Sequence, residues 1–489
     1  MNDNQMGVSA AAEGRAAKGF AAREALSAAG SVQGDEYFAK RSLKKGSVGW
    51  ILLVSLGVSY TISGDFSGWN YGMQNGGWWG MLFAFTVMGL MYLCTVFGLA
   101  ELSSAIPTTG AGFGFARAAM GRVGGFVTGL ALVIEYVCAP AAIATFIANY
   151  ILELGLLPGV EPFALVVAAY VVFTGLHMFG VGEALRLMLV ISGIAIVALI
   201  LFAIGVAPTF DFSNIAYGAG GGNLTLQGAL MCLPYGIWFF LGVEGVPLAA
   251  EESSDPRRDM PRGLIGALTV LALTGLSVLL LAAGSAGVAA IGPSDAPLVD
   301  ALRLAGNPFL ATVLNWAALA GLVASFFSLM YAGSRQVFAL ARSGYLPSFL
   351  ALTGKRHTPW VALLASAGLG LAIVSVMHDG ALILNVAVFG ACVSYALMNL
   401  SHLILRRNSP DMERGYRTPG GTATTLVGLV LSCVAVVSTF FVDMFAAACA
   451  VAVIVAGLGY FRLYACRHLV ANSPEEEFAR LAAAEAELR

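Results

Sequence analysis

Three carboxylates lie inside long apolar runs of this chain, two of them between glycines. Asp65 stands in Ile62-Ser63-Gly64-Asp65-Phe66-Ser67-Gly68, and Glu244 stands in Leu241-Gly242-Val243-Glu244-Gly245-Val246-Pro247. The third, Glu135, is followed by Tyr136 in Ile134-Glu135-Tyr136-Val137-Cys138-Ala139-Pro140. An ionisable side chain at bilayer depth costs roughly 2.5–3.5 kcal/mol to insert on translocon scales, so it is retained where it meets a cation, a proton or another charge. Holding an ammonium group or carrying a proton is therefore the chemistry open to these positions.

The elements that must position them are membrane helices. With 58% hydrophobic and 11% charged residues among 489, and a mean hydropathy of +0.81, the chain is far more apolar than a soluble domain carrying about 25% charge. Runs long enough for a spanning helix recur at 49–76, 78–104, 123–152, 162–179, 184–207, 225–250, 263–291, 309–333, 359–377, 380–405, 424–442 and 444–465. Twelve transmembrane helices are expected. With the N-terminus inside, Arg117 and Arg122, then Arg257, Arg258 and Arg262, then Arg335, Arg342, Lys355 and Arg356, then Arg406, Arg407, Arg414 and Arg417 all face the cytoplasm, and Arg303 alone faces out. Both ends are thus expected in the cytoplasm.

Residues 1–46 are rich in Ala, Gly, Glu, Arg and Lys without the apolar core of a signal peptide, which makes them a cytoplasmic tail expected to be disordered. A second cytoplasmic tail is expected over 466–489. The net charge of −2 gives no footprint for nucleic acid. Seven cysteines within or at the ends of apolar runs read as packing groups, and neither they nor the five scattered histidines have metal-ligand spacing, so no metal or other cofactor is expected.

The run from Pro234 to Pro247 is a second broken helix, with proline at both ends and glycines around Glu244. Irregular backbone at membrane depth is tolerated only where protein or a cavity shields it, and corresponding interruptions in two halves of a chain point to the central site of a membrane carrier. Five spans per half is an odd number, so the halves have opposite topology. The breaks at Gly64 to Phe66 and at Leu241 to Glu244 are expected to face each other across one cavity.

Several segments carry a family resemblance. Glu101-Leu102-Ser103-Ser104-Ala105-Ile106-Pro107-Thr108-Thr109-Gly110, Glu251-Glu252-Ser253-Ser254-Asp255-Pro256-Arg257-Arg258-Asp259-Met260-Pro261-Arg262, Ser334-Arg335-Gln336-Val337-Phe338-Ala339-Leu340-Ala341-Arg342 and Tyr416-Arg417-Thr418-Pro419-Gly420-Gly421 resemble landmarks of the amino acid-polyamine-organocation transporters. Within that superfamily, Ile62 through Asn70 and Ile134 through Ala144 resemble bacterial ethanolamine permeases. The resemblance implies an all-α membrane protein with a five-plus-five inverted repeat, 47–207 and 225–405, followed by two additional helices over 424–465. Spans 1 and 6 would be unwound at midplane, and spans 3, 8 and 10 would complete the site. It implies no enzyme activity.

Amino-acid carriers of the superfamily usually place a Gly-Ser-Gly-like stretch in span 1, whose amides receive the substrate carboxylate. Asp65 departs from that pattern and suits an amine without a carboxylate, because a substrate carboxylate beside it would be repelled. Ethanolamine fits as the partner: its ammonium meets Asp65, and Ser63 or exposed backbone carbonyls near Gly64 and Phe66 are expected to meet either end of it. Glu135 and Tyr136 are expected along the same cavity, with Trp238, Phe239 and Phe240 as an aromatic lid. Glu244 is the candidate for proton coupling or gating. Glu101, Glu251 and Glu252 are expected to be structural or gate residues, and Arg335 and Arg342 to lie on a cytoplasmic surface helix.

Proton symport, facilitated uptake and exchange all fit the sequence. A sodium site with oxygens from Ser325 and Ser328 is the weaker alternative, since hydroxyls in a membrane helix usually bond their own backbone. An importer in the bacterial inner membrane is the leading expectation. An amino-acid permease is the second, and a receptor or channel on the same fold the third.

Overall fold

A computed structural model describes residues 48–108, 110–155, 157, 159–178, 181–219, 224–354 and 358–470. The expected N-terminal tail, residues 471–489 of the C-terminal one, and Lys355 and Arg356 lie outside the described residues. The described chain is a helical bundle. Its major helices are α1 (Trp50–Thr61), α2 (Ser63–Phe66), α3 (Met73–Ala105), α4 (Gly112–Glu153), α5 (Pro162–Met178), α6 (Val181–Val206), α7 (Leu226–Trp238), α8 (Pro256–Ala286), α9 (Val288–Ile291), α10 (Pro297–Leu304), α11 (Pro308–Arg342), α12 (Trp360–Met377), α13 (Gly380–Asn408), α14 (Thr422–Val442) and α15 (Met444–Leu463). Ten helices among the described residues are long and apolar enough to cross a membrane, and α1 and α5 are shorter apolar helices. Helices suit these sequences because each keeps its backbone hydrogen bonds internal, as a lipid environment requires.

The first apolar run holds the expected break. The chain leaves the helical ladder at Ser63, whose N–H donates to the Ser325 hydroxyl on α11 at 3.0 Å. It makes one further turn through Phe66, becomes extended at Ser67 and turns left-handed at Gly68, with φ +97°. A 3-10 turn over Trp69–Gly72 then leads directly into α3. The helix that begins at Met73 is itself kinked at Gly77, with φ +65° and ψ −166°, so the expected division between 49–76 and 78–104 falls at that glycine, a residue that adopts positive φ without a Cβ clash.

The second break follows the same logic. The α7 helix ends at Trp238, Gly242 is left-handed at φ +102°, and a 3-10 helix runs over Val243–Glu252. The two breaks touch. A Cβ on Gly64 would collide with the Trp238 carbonyl oxygen, Thr61 Oγ1 donates to the Leu241 carbonyl at 3.0 Å, and Trp238 Nε1 donates to the Ser67 carbonyl at 2.8 Å.

One expectation fails at the end of α11. Arg335 and Arg342 are not on a surface helix: α11 continues without interruption to Arg342, and both side chains are buried. The reason is their partners. Arg335 pairs with Glu252 at 2.7 Å and Arg342 with Glu251 at 2.8 Å, so the charges are neutralised inside the protein.

Candidate functional site

The site is built where α1, α2 and α7 break against α3, α4, α8, α11 and α13. Asp65 is completely buried, and neither carboxylate oxygen has a hydrogen-bond partner. It faces α8. A Cβ added at Gly275 would lie 3.4 Å from Asp65 Oδ1 and 2.9 Å from the rings of Phe239 and Phe85. Thr274 is the adjacent hydroxyl, but it donates to its own helix, at 3.1 Å to the Val270 carbonyl and 3.3 Å to that of Leu271. A carboxylate withdrawn from water with neither oxygen bonded carries a desolvation cost that a cation or a proton relieves.

The backbone around Asp65 is by contrast well bonded. Its own N–H donates to the Ile62 carbonyl at 3.2 Å and the Ser67 N–H to that of Ser63 at 3.2 Å, while the Gly68 N–H meets Asn70 Oδ1 at 3.2 Å. Trp69 Nε1 donates to the Asp65 carbonyl and the Tyr150 hydroxyl to the Phe66 carbonyl, both at 3.2 Å. Most amides at the first break are thus engaged with the protein itself.

A second centre forms around Glu244. The Tyr136 hydroxyl donates to Glu244 Oε1 at 3.1 Å, the Gly242 N–H to Oε2 at 3.2 Å, and the Tyr395 hydroxyl to Oε2 at 3.0 Å. Tyr395 receives the Tyr92 hydroxyl at 2.7 Å and also reaches Glu135 Oε1 at 3.5 Å. Glu135 is adjacent to Glu244, yet its Oε2 has no partner. Two carboxylates therefore share one bridging hydroxyl, and nearly all the donors serve Glu244.

These contacts redraw the expected cage. Glu135 does not close a wall around Asp65 but pairs with Glu244, because α4 directs Glu135 and Tyr136 toward the break in α7. A file of aromatic rings joins the two centres: Phe239 beside Asp65, then Phe85 at 5.2 Å, Phe240 at 5.2 Å, Tyr92 at 5.3 Å and Tyr395 at 5.1 Å. Phe239 and Phe240 line this path. Trp238 instead packs over Gly68, and the Phe66 ring lies against Gly321 of α11. Ser63 Oγ is buried, and the Ser325 hydroxyl that was a candidate sodium ligand already receives the Ser63 N–H. Sequence reasoning missed Tyr92, Phe85, Thr274 and Tyr395. A tyrosine or phenylalanine in an apolar helix gives no sign of the direction it faces.

Hydrogen bonds also tie the segments that flank the two breaks. On one side Asn70 Nδ2 donates to the carbonyls of Ile291, Gly292 and Ser294 at 2.9, 3.2 and 2.7 Å. On the other, the Val48 N–H donates to the Glu252 carbonyl at 3.2 Å and the Ser254 N–H to that of Val48 at 3.1 Å, above the buried Arg335–Glu252 pair.

The chain matches the family model described as amino acid permease over residues 51–465. It is 28% identical over 402 residues to an uncharacterized transporter of Rhizobium meliloti, covering 79% of this chain and 85% of that protein. A branched-chain amino acid permease of Bacillus subtilis is 26% identical over 368 residues, covering 70% and 77%. A methylthioribose transporter of the same organism is 26% identical over 367 residues, covering 69% and 76%.

Proposed function

The chain belongs to the amino acid permease family, a family of membrane transporters rather than enzymes, and from that premise we propose that it imports a small protonated amine, ethanolamine, across the bacterial inner membrane by alternating access. Asp65 carries the reading: a fully buried carboxylate with two unpartnered oxygens at the contact between two broken helices. An ammonium there gains the Asp65 charge and the neighbouring faces of Phe239 and Phe85, a cation–aromatic contribution of about 0.5–2 kcal/mol. The engaged amides support an amine over an amino acid. Ser63, Gly68 and Gly242 would have to release Ser325, Asn70 and Glu244 before receiving a substrate carboxylate.

The proton role falls to Glu135 and Glu244 together. The two carboxyls are adjacent and bridged by the Tyr395 hydroxyl, so one proton held between them serves both. The two repeats run over 47–207 and 225–405, with 424–465 as additional spans and both termini cytoplasmic. The arginines at the ends of α11 and α13, Arg335, Arg342 and Arg406, support that orientation, as does the place of Arg303 beside Asp300 on α10.

A second reading, an amino-acid permease, is favoured by the likeness to the branched-chain amino acid permease. Uptake of labelled ethanolamine into proteoliposomes, with choline, alanine, leucine and lysine as competitors, separates the two. Ethanolamine accumulation blocked by unlabelled ethanolamine but not by leucine supports the amine reading. Accumulation of leucine without ethanolamine overturns it, and binding without accumulation would point to a receptor.

A further inference from the structure

The arginine-rich end of the bundle holds a groove that transport does not use. It is a cavity of about 570 Å³ between the start of α1, the first turns of α8 and the loop before α14, with Trp50, Arg257, Arg258, Arg262, Ile265 and Tyr416 among its walls. Three arginines line it and no acidic side chain does. Trp50 is 45% exposed at the first turn of α1. Ile265 and Gly266 lie one turn deeper along α8, so the groove runs from charged to apolar along the direction of the membrane normal.

The walls are fixed by packing. Gly415 lies so close to α8 that a Cβ would sit 2.8 Å from the Arg257 carbonyl, and the Tyr416 N–H donates to the Ser104 hydroxyl at 3.1 Å. Arg257 pairs with Glu413 at 2.8 Å, both side chains well exposed. Arg258 approaches Asp255 only to 3.8 Å, again in solvent, where such pairs are worth little. Arg262, between them and the apolar floor, has no ion pair among the described residues. Positive charge is therefore left over at the level of the interfacial Trp and Tyr, which anchor at the headgroup boundary.

We propose that this groove binds the headgroup of an anionic phospholipid: the phosphodiester sits between Arg258 and Arg262, Trp50 and Tyr416 flank the glycerol region, and an acyl chain follows Ile265 and Gly266. Basic pockets between membrane helices suit this chemistry, since each arginine near the surface contributes about a fivefold gain in binding. The bound lipid joins α1 to α8 and to the loop between α13 and α14.

The test uses the full-length protein in detergent, titrated with dioleoyl phosphatidylglycerol, dioleoyl phosphatidylcholine or inorganic phosphate and followed by thermal unfolding. Phosphatidylglycerol should raise the midpoint saturably, and neither other ligand should. The double variant Arg258→Gln/Arg262→Gln should need roughly twenty-five times more phosphatidylglycerol, whereas Arg303→Gln at the other end should behave as wild type. Brominated-chain phosphatidylglycerol should also quench the fluorescence that Trp50→Phe removes, a reading independent of stability. An unchanged response in the double variant overturns the proposal, as does an equal effect of phosphatidylcholine. Displacement of the lipid by inorganic phosphate would assign the groove to a soluble anion instead.

Discussion

Buried carboxylates occur in two regions of this protein, and they are treated in opposite ways. At the arginine-rich end the glutamates are neutralised: Glu101 pairs with Arg406 at 2.8 Å, Arg414 at 2.9 Å and His402 at 3.2 Å and receives the Thr418 N–H at 2.7 Å, Glu252 pairs with Arg335 at 2.7 Å and Glu251 with Arg342 at 2.8 Å, while the buried Asp259 receives the Ser253 hydroxyl at 3.2 Å and the Asp255 N–H at 3.4 Å. In the middle of the bundle no guanidinium approaches. Among the described residues neither oxygen of Asp65 has a hydrogen-bond partner, and Glu135 meets the adjacent Glu244 and, at 3.5 Å, the shared Tyr395 hydroxyl. The first set closes the fold. The second set leaves a charge for something that comes and goes.

Replacing each carboxylate by its amide tests this contrast most directly. Glu252→Gln should lower stability by about 3–5 kcal/mol, because it strands the buried Arg335; a thermal midpoint within a degree of wild type would show that the pair contributes nothing to closure. Asp65→Asn should do the reverse. It should keep or raise the midpoint while weakening ethanolamine binding by about 2–5 kcal/mol, at least thirtyfold, as measured by equilibrium binding to purified protein. Binding within threefold of wild type would remove Asp65 from the site.

The central pair offers a finer division. Glu244→Gln should cost about 1–3 kcal/mol of stability, since the amide nitrogen replaces one of two oxygens that together receive three donors. Glu135→Gln should be nearly neutral in stability, because its Oε2 has no partner to lose. If the pair carries the coupling proton, uptake by wild type falls as external pH rises from about 5.5 to 8 under a clamped potential, and Glu135→Gln, fixed in the neutral form, flattens that profile while retaining binding. A wild-type profile in Glu135→Gln would restrict the proton to Glu244 or exclude it from the pair. Tyr395→Phe should give the smallest effect, about 1 kcal/mol, together with a displaced pH profile. A loss of stability without that displacement would reduce the tyrosine to a packing residue.

Hydropathy and the glycines around Asp65 and Glu244 were enough to expose the spans and both breaks, because lipid imposes length and internal backbone bonding on every helix. The boundary read between the first two runs coincides with the kink at Gly77, whereas the left-handed turn at Gly68 left no mark in hydropathy. Asp65 and Glu135 looked equivalent as membrane carboxylates, yet one faces Gly275 and the other Glu244. Arg335 and Arg342 looked like surface charges until Glu252 and Glu251 met them.

The sequence by itself determined that the protein lies in a membrane, where its helices run, and which carboxylates stand at helix breaks. Each of these follows from local composition acting against a uniform apolar solvent. Only the tertiary structure decided which carboxylate has a partner. Partnership depends on side-chain direction and on helices that are distant in sequence, so Glu135 finds Tyr395, Glu252 finds Arg335, and Asp65 finds nothing.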